Sequence, residues 1–156
     1  MIGPALALSV LAAAAPAPCP RQPLIELPVN SWAAARSELA PPGADYGRLC
    51  RYNPFGNHTV RDLAASAVVK GSAKIGPIVS ELDALKPISS TVFCPADTGS
   101  EIDMTLSYPS GHGVFIRVDL SGCETVSNGS ITRTAATTKA GQRLLATLEQ
   151  LTGEHK

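Results

Sequence analysis

The feature that most constrains the fold is a stretch of alternating polarity that lies between Cys94 and Cys123. Every second side chain is apolar in residues 101–108, and the same alternation continues through residues 114–120. A period of two is typical of strands with one buried face. The intervening residues 109–113 include two glycines and a proline, which indicates a hairpin loop. The sequence therefore predicts a β-hairpin at the centre of the domain.

Folding the two runs about this loop places Tyr108 opposite Val114 and gathers eight apolar side chains on one face. That face needs a cover, because an isolated two-stranded hairpin is only marginally stable in water. On the other face the same register places Asp103 opposite Asp119, and like charges in that position repel each other. We expect Arg117, a diagonal neighbour, to compensate them. A bound calcium ion is the alternative, but it needs more oxygen ligands than the pattern supplies.

Two segments outside the hairpin have apolar residues at helical spacing and can provide the cover. They are residues 77–86, which begin at a Gly76-Pro77 pair, and residues 137–152. A shorter helix of about two turns is expected after Ser31, an N-cap residue. Residues 60–74 are ambiguous, and the pair Val68-Val69 favours a strand. Further strands are expected at residues 46–52, 91–93 and 131–133. The prediction is a single α+β domain, with an antiparallel sheet of four to five strands and two main helices packed on one face.

Residues 1–17 have the pattern of a secretory signal peptide. They carry no charged side chain, an apolar run over residues 5–15, and an Ala15-Pro16-Ala17 sequence that fits the A-x-A cleavage rule. No Lys or Arg precedes the apolar run, which leaves a signal anchor or an incorrect start as alternatives. The run is too short to span a membrane. Residues 18–30 contain four prolines and predict an extended arm, followed by the folded domain over residues 31–156.

The four cysteines indicate two disulfides, because an even number in an exported chain is typical of a disulfide framework. Three pairings are possible. We favour Cys94 with Cys123, since both flank the same hairpin, and this leaves Cys19 with Cys50. Each bridge closes a loop of about thirty residues and contributes about 3–4 kcal/mol in the chain-entropy model. Lipid attachment at Cys19 is disfavoured by the Pro-Ala-Pro sequence of residues 16–18.

The run Asp97-Thr98-Gly99-Ser100 matches the active-site signature of aspartic peptidases, in which two aspartates share one proton. A chain with a single copy would have to dimerise. The signature also needs an apolar strand before it and a bracing segment after it, and this chain has neither. The sequence favours a turn that leads into the hairpin.

The remaining residues indicate no other chemistry. The histidines His58, His112 and His155 have no Ser or Cys partner in a nucleophile motif. No close Cys/His spacing suggests a metal site. The 13 basic and 13 acidic residues form no run of either sign, so a nucleic-acid-binding face is not indicated. We therefore assign no catalytic residue, no cofactor and no metal from the sequence.

Four stretches together resemble small secreted or lipoprotein domains that are common in actinobacteria. They are residues 32–42, the strand Leu49-Cys50-Arg51-Tyr52, the turn Cys94-Pro95-Ala96-Asp97, and residues 120–129, which contain Gly122-Cys123 and Asn128-Gly129. The likeness covers about residues 31–133. Because that group has no established activity, it implies an exported, disulfide-bonded α+β domain and adds little about function.

A looser similarity is to the secreted subtilisin inhibitors of the same organisms, which also pack helices on an antiparallel sheet with two disulfides. Their reactive loop is braced by a cystine, and no equivalent is located in this sequence.

The leading hypothesis is a non-enzymatic binding domain, secreted or in the cell envelope, whose partner is an unknown protein or envelope component. A protease inhibitor is the alternative, with residues 109–113 or 53–58 as the exposed loop. A dimeric aspartic peptidase is the third hypothesis.

Overall fold

The computed structural model describes residues 17–55 and 61–153. In chain order its elements are α1 (Ala34–Ser37), β1 (Tyr46–Tyr52), β2 (Leu63–Lys70), α2 (Ser72–Asp83), β3 (Glu101–Ser107), β4 (Gly113–Asp119), β5 (Thr125–Ser127), β6 (Thr132–Thr134) and α3 (Lys139–Leu151). The strands form one antiparallel sheet of order β2-β1-β3-β4-β5-β6. The predicted single α+β domain is confirmed. The sheet has six strands rather than four or five, because two short strands form on either side of the Asn128-Gly129 turn.

The hydrophobic core lies on the face of the sheet that carries the apolar side chains of β3 and β4. Six of these side chains are completely buried: Ile102, Met104, Leu106, Val114, Ile116 and Val118. Helices α2 and α3 cover them with a second layer of buried residues: Ile75, Ile78, Val79, Leu82, Leu144, Leu145 and Leu148. Both predicted helices therefore lie in the expected position, against the apolar face of the hairpin.

The hairpin loop is tighter than the predicted five residues. The amide of Tyr108 donates to the carbonyl oxygen of His112 at 3.1 Å, so only residues 109–111 form the loop. Gly111 has a φ of 87°, in the left-handed region that the last position of a three-residue hairpin loop requires. This closure fixes the pairing of the two strands.

The tighter loop shifts the strand register by two residues, and the predicted Asp103–Asp119 pair is wrong. Asp103 lies opposite Arg117, and Asp119 lies opposite Glu101. A shift of two residues keeps each side chain on its predicted face, because the side-chain period of a strand is also two. It changes which charges meet across the strands.

Helix α2 begins at Ser72, earlier than the predicted start at Pro77. Gly71, with a φ of 94°, ends strand β2 and turns the chain, and its carbonyl oxygen accepts from the amides of Lys74 and Ile75, both at 3.1 Å. These bonds form the first turn of the helix before the proline. Pro77 consequently lies inside α2.

Helix α1 is a single turn rather than the predicted two, and no side chain caps it. The buried side chain of Asn128 donates to the carbonyl oxygens of Ala35 at 2.7 Å and Leu39 at 3.1 Å. These carbonyls therefore have partners outside a helix, and the chain leaves the helix at Glu38 in an extended conformation. One asparagine thus holds the segment after α1 against the turn between β5 and β6.

The predicted extended arm crosses the polar face of the sheet. It is fixed by the Cys19–Cys50 disulfide, and its carbonyl oxygens at Pro20 and Leu24 accept hydrogen bonds from Tyr52 at 2.9 Å and Arg117 at 2.7 Å. This face was expected to be exposed to solvent. Beneath the arm, Glu101 and Asp103 are each only 3% exposed.

Two helical glycines provide a matched test of this packing. A Cβ atom on Gly141 would lie 2.1 Å from the carbonyl oxygen of Ala135, whereas a Cβ on Gly76 in α2 would meet nothing within 4 Å. We expect Gly141→Ala to lower the free energy of unfolding by about 2 kcal/mol. Gly76→Ala should change the free energy of unfolding by less than about 1 kcal/mol, because the gain in helix propensity is offset by contact of the added Cβ with the ring of the next residue, Pro77. Urea denaturation of both variants measures the difference, and equal effects would contradict the close contact of α3 with Ala135.

Candidate functional site

The charged residues beneath the arm form one network, which we call the carboxylate–arginine cluster: Arg61, Glu101, Asp103, Arg117 and Asp119. Arg117 binds Asp103 through two hydrogen bonds, Nε to Oδ1 at 2.8 Å and Nη2 to Oδ2 at 3.0 Å. Arg61 Nη1 donates to Glu101 Oε2 at 2.5 Å, and Arg117 Nε lies 3.3 Å from Glu101 Oε1. Paired charges of this kind tolerate burial, whereas a single one would not.

Two carboxyl groups of this cluster have altered proton affinity. Burial raises the pKa of Glu101, and the positive charges of Arg117 and Arg61 offset part of that effect. Burial also raises the pKa of Asp119, while a hydrogen bond from the Thr125 hydroxyl lowers it. The arm covers Glu101 and Asp103, so the cluster has the properties of a structural network that fastens the arm.

Calcium binding at this face has no support in the geometry. Arg117 occupies both oxygens of Asp103, the carboxylate that would serve as a ligand. Within residues 17–55 and 61–153, no group of three or more His, Cys, Asp or Glu side chains is arranged to hold a metal ion.

Residues 87–98, which we call the exposed segment, carry three accessible apolar side chains close to the Cys94–Cys123 disulfide. The side chain of Phe93 is 100% exposed, and those of Ile88 and Val92 are 39% and 40% exposed. The predicted strand at residues 91–93 is wrong, because this stretch pairs with no strand and has an irregular backbone. The sequence did not reveal this surface, since the apolar residues before Cys94 predict a short strand.

The exposed segment is attached to the sheet at both ends and near its middle. At its start, the carbonyl oxygen of Lys86 accepts from the amide of Thr134 in β6 at 3.0 Å. Near its middle, Cys94 is bonded to Cys123, as the pairing predicted. At its end, the amide of Thr98 donates to the Ser121 hydroxyl at 2.9 Å. The segment is therefore held as an arch with its apolar side chains in solvent.

The Asp97-Thr98-Gly99-Ser100 motif forms the last of these attachments. Asp97 Oδ1 accepts from the amide of Gly99 at 2.8 Å and from the hydroxyl of Ser121 at 2.9 Å. The same side chain is exposed. The motif is thus a turn that leads into β3, as the sequence favoured, and its carboxylate organises that turn. The aspartic peptidase hypothesis stays a prediction that needs a second copy of the motif.

The two loops that the sequence singled out for an inhibitor are less suitable. The tip at residues 109–113 is closed by the tight hairpin, and the ring of His112 stacks on Trp32 with centroids 4.6 Å apart. Trp32 is half-buried and also contacts Tyr108 edge to face, with ring centroids 4.7 Å apart. Of the loop at 53–58, residues 56–58 lie outside the described chain, as does His155.

The raised pKa of Asp119 predicts a pH-dependent gain from Asp119→Asn. A carboxyl group whose pKa is higher in the folded state stabilises that state when protonated, and this stabilisation is lost as the pH rises through the folded-state pKa. We therefore expect the variant to be more stable than the parent at neutral pH, with no gain at a pH where Asp119 is already protonated. The midpoint of urea denaturation at both pH values measures this.

Asp103→Asn provides the control in the same cluster. It replaces one of the two accepting oxygens by an NH2 group, so one hydrogen bond to Arg117 is lost and the guanidinium no longer faces a negative charge. The variant should therefore lose stability at neutral pH. An equal gain for Asp119→Asn at both pH values would mean that packing, and not charge, causes it.

The chain was compared with protein families, curated proteins and solved structures. No protein-family model, no curated protein and no solved structure matches this chain. Among the described residues, no helix combines the length and apolar content needed to cross a bilayer. The function is therefore argued from the geometry of the chain itself.

Proposed function

We propose that this chain is an exported, non-enzymatic binding domain, and that the exposed segment is its contact surface. The observation that carries the proposal is the fully exposed side chain of Phe93 directly before Cys94, whose disulfide fixes the segment to the sheet. An aromatic side chain in water gains most when a partner covers it, since Phe buries about 150–250 Å² of surface. Exposed apolar surface of this kind is typical of interaction sites.

Export is supported by two independent features. The apolar first seventeen residues have the composition of a signal peptide and end in a suitable cleavage sequence. The described residues contain two disulfides and no free cysteine. Disulfides persist in oxidising compartments such as the cell envelope and the medium, and are rare in the cytosol. The resemblance to actinobacterial secreted domains agrees with this location.

Attachment of the exposed segment supports a binding role because it lowers the entropic cost of association. A mobile loop must be ordered when it binds, at about 0.5–1.5 kcal/mol for each side chain that becomes fixed. Here the segment is tied at Lys86, Cys94 and Thr98 before any partner arrives. These attachments restrict the backbone that carries the exposed apolar side chains.

The specific form that we favour is inhibition of an extracellular serine protease. Proteases bind extended segments of their substrates, and an irregular exposed segment has its main-chain groups available for such pairing. The cystine at Cys94 supplies the brace that the sequence comparison with subtilisin inhibitors lacked. Residues 87–98 contain no Lys or Arg, so the segment has no basic side chain to pair with the carboxylate in the specificity pocket of a trypsin-like protease. A protease with an apolar pocket, such as a subtilisin, fits the segment better than trypsin.

Titration of a subtilisin and of trypsin with the purified protein tests this function. We expect stoichiometric loss of subtilisin activity, with the added chain intact or cut once, and no loss of trypsin activity. Phe93→Asp should weaken inhibition about thirtyfold, which corresponds to about 2 kcal/mol, the size of a central contact residue. The inhibition constants of the parent and of Phe93→Asp are obtained from the residual protease activity at varied concentrations of the added protein.

Ile25→Asp is the matched control, because Ile25 is also an apolar side chain in solvent, 96% exposed, but lies on the arm. It should inhibit as well as the parent. Full activity of both proteases at a large excess of the protein would contradict the inhibitor form of the proposal. An equal loss of inhibition in both variants would contradict the assignment of the contact to the exposed segment.

A further inference from the structure

A cavity of about 270 Å³ lies near the Cys19–Cys50 disulfide, at the edge of the sheet formed by β1 and β2. Its polar lining comes from Tyr46, Arg48 and Ser66, and its other walls from the start of the arm and from β2. It has no part in the exposed segment. Its size suits a small polar group, being below the range of ordinary drug-sized sites.

Arg48 is the unusual member of this cavity. The side chain is half-buried, and its Nε atom is inaccessible to solvent and has no hydrogen-bond partner among the described residues. No described residue forms an ion pair with its guanidinium either. A buried donor without a hydrogen-bond partner is unfavourable, and more so when it belongs to a charged group. The described residues therefore leave the positive charge of the Arg48 guanidinium without a compensating carboxylate.

The carboxylates that lie nearest to Arg48 in the sheet have other partners. Across the strands, Arg48 faces Thr105 in β3, and the next acidic side chain on that strand is Asp103. Both oxygens of Asp103 are bound by Arg117, and Glu101 is held by Arg61. The positive charge of Arg48 is therefore not neutralised within the carboxylate–arginine cluster.

We propose that this cavity is a binding site for a small oxyanion, a phosphate or a carboxylate group, held by the guanidinium of Arg48. The planar guanidinium presents donors in a fork that matches two oxygens of either group. The hydroxyl groups of Ser66 and Tyr46 are the other polar groups of the lining. The site is distinct from the contact surface for a protease, and it does not depend on inhibition.

The start of the arm adds to the positive potential of the site. Ala17 and Pro18 line the cavity. With cleavage after Ala17, as the proposed export requires, the α-amino group of Pro18 lies at the cavity wall and is protonated at neutral pH, since such groups have a pKa of about 7.7–8.0. This second cation strengthens an anion site but is not required for it.

The test is a titration of the purified protein with inorganic phosphate and, separately, with acetate, at constant ionic strength maintained by chloride. Backbone amide shifts in nuclear magnetic resonance spectra should change saturably around residues 46–48 and 66–68. Arg48→Met should weaken binding by about tenfold or more, the loss expected for hydrogen bonds to a charged group. Tighter binding of phosphate assigns a phosphate ligand to the site, and tighter binding of acetate assigns a carboxylate ligand.

Arg36→Met is the matched control, because Arg36 is exposed on α1 and its loss changes the net charge equally. Its binding should stay within about twofold of the parent. A second variant, Ser66→Asp, keeps Arg48 and places a carboxylate at the exposed wall of the cavity, so it should abolish anion binding without unfolding the protein. Absence of saturable binding by both anions, or unchanged binding in Arg48→Met and Ser66→Asp, would overturn the proposal.

Discussion

The structure depends on the need to cover the apolar face of the central hairpin. Strands β3 and β4 place six completely buried apolar side chains, five aliphatic ones and Met104, on one side of the sheet. At about 25 cal/mol for each Å² removed from water, such a face is the dominant stabilising contribution of a small domain. The helices α2 and α3 satisfy this requirement, and their close approach is the reason that Gly141 can carry no side chain against Ala135.

The opposite face of the sheet is covered in a different way, because its central side chains are charged. An antiparallel sheet can leave a polar face in water, yet here the arm covers it and Glu101 and Asp103 are buried. Burial is tolerated because Arg117 and Arg61 neutralise these carboxylates, and because carbonyl oxygens of the arm accept hydrogen bonds from Arg117 and Tyr52. The Cys19–Cys50 disulfide keeps the arm in place over this network. The arm thereby buries the charged residues at the centre of the second face, while the side chains of β2 on that face stay exposed.

The two candidate surfaces lie toward opposite edges of that sheet. The exposed segment starts where Lys86 pairs with β6, whereas the Arg48 cavity is formed by β1 and β2. Each surface lies beside one disulfide. One presents the exposed apolar side chains of Ile88, Val92 and Phe93, and the other presents the guanidinium of Arg48, which has no ion-pair partner among the described residues. A protein partner at one and an oxyanion at the other are compatible with simultaneous binding.

The sequence by itself determined the α+β class and which side chains lie on each face of the hairpin. Alternating polarity is a local property of each strand, and a register shift of two residues leaves every side chain on the same face. Chain proximity to the hairpin was also enough to predict the disulfide pairing. Only the tertiary structure decided the register, since the bond between Tyr108 and His112 closes a loop whose length polarity does not encode. It also decided that the arm covers the charged face, that residues 87–98 remain exposed, and that Arg48 has no partner among the described residues. These features arise from contacts between residues far apart in the chain, and no local pattern records them.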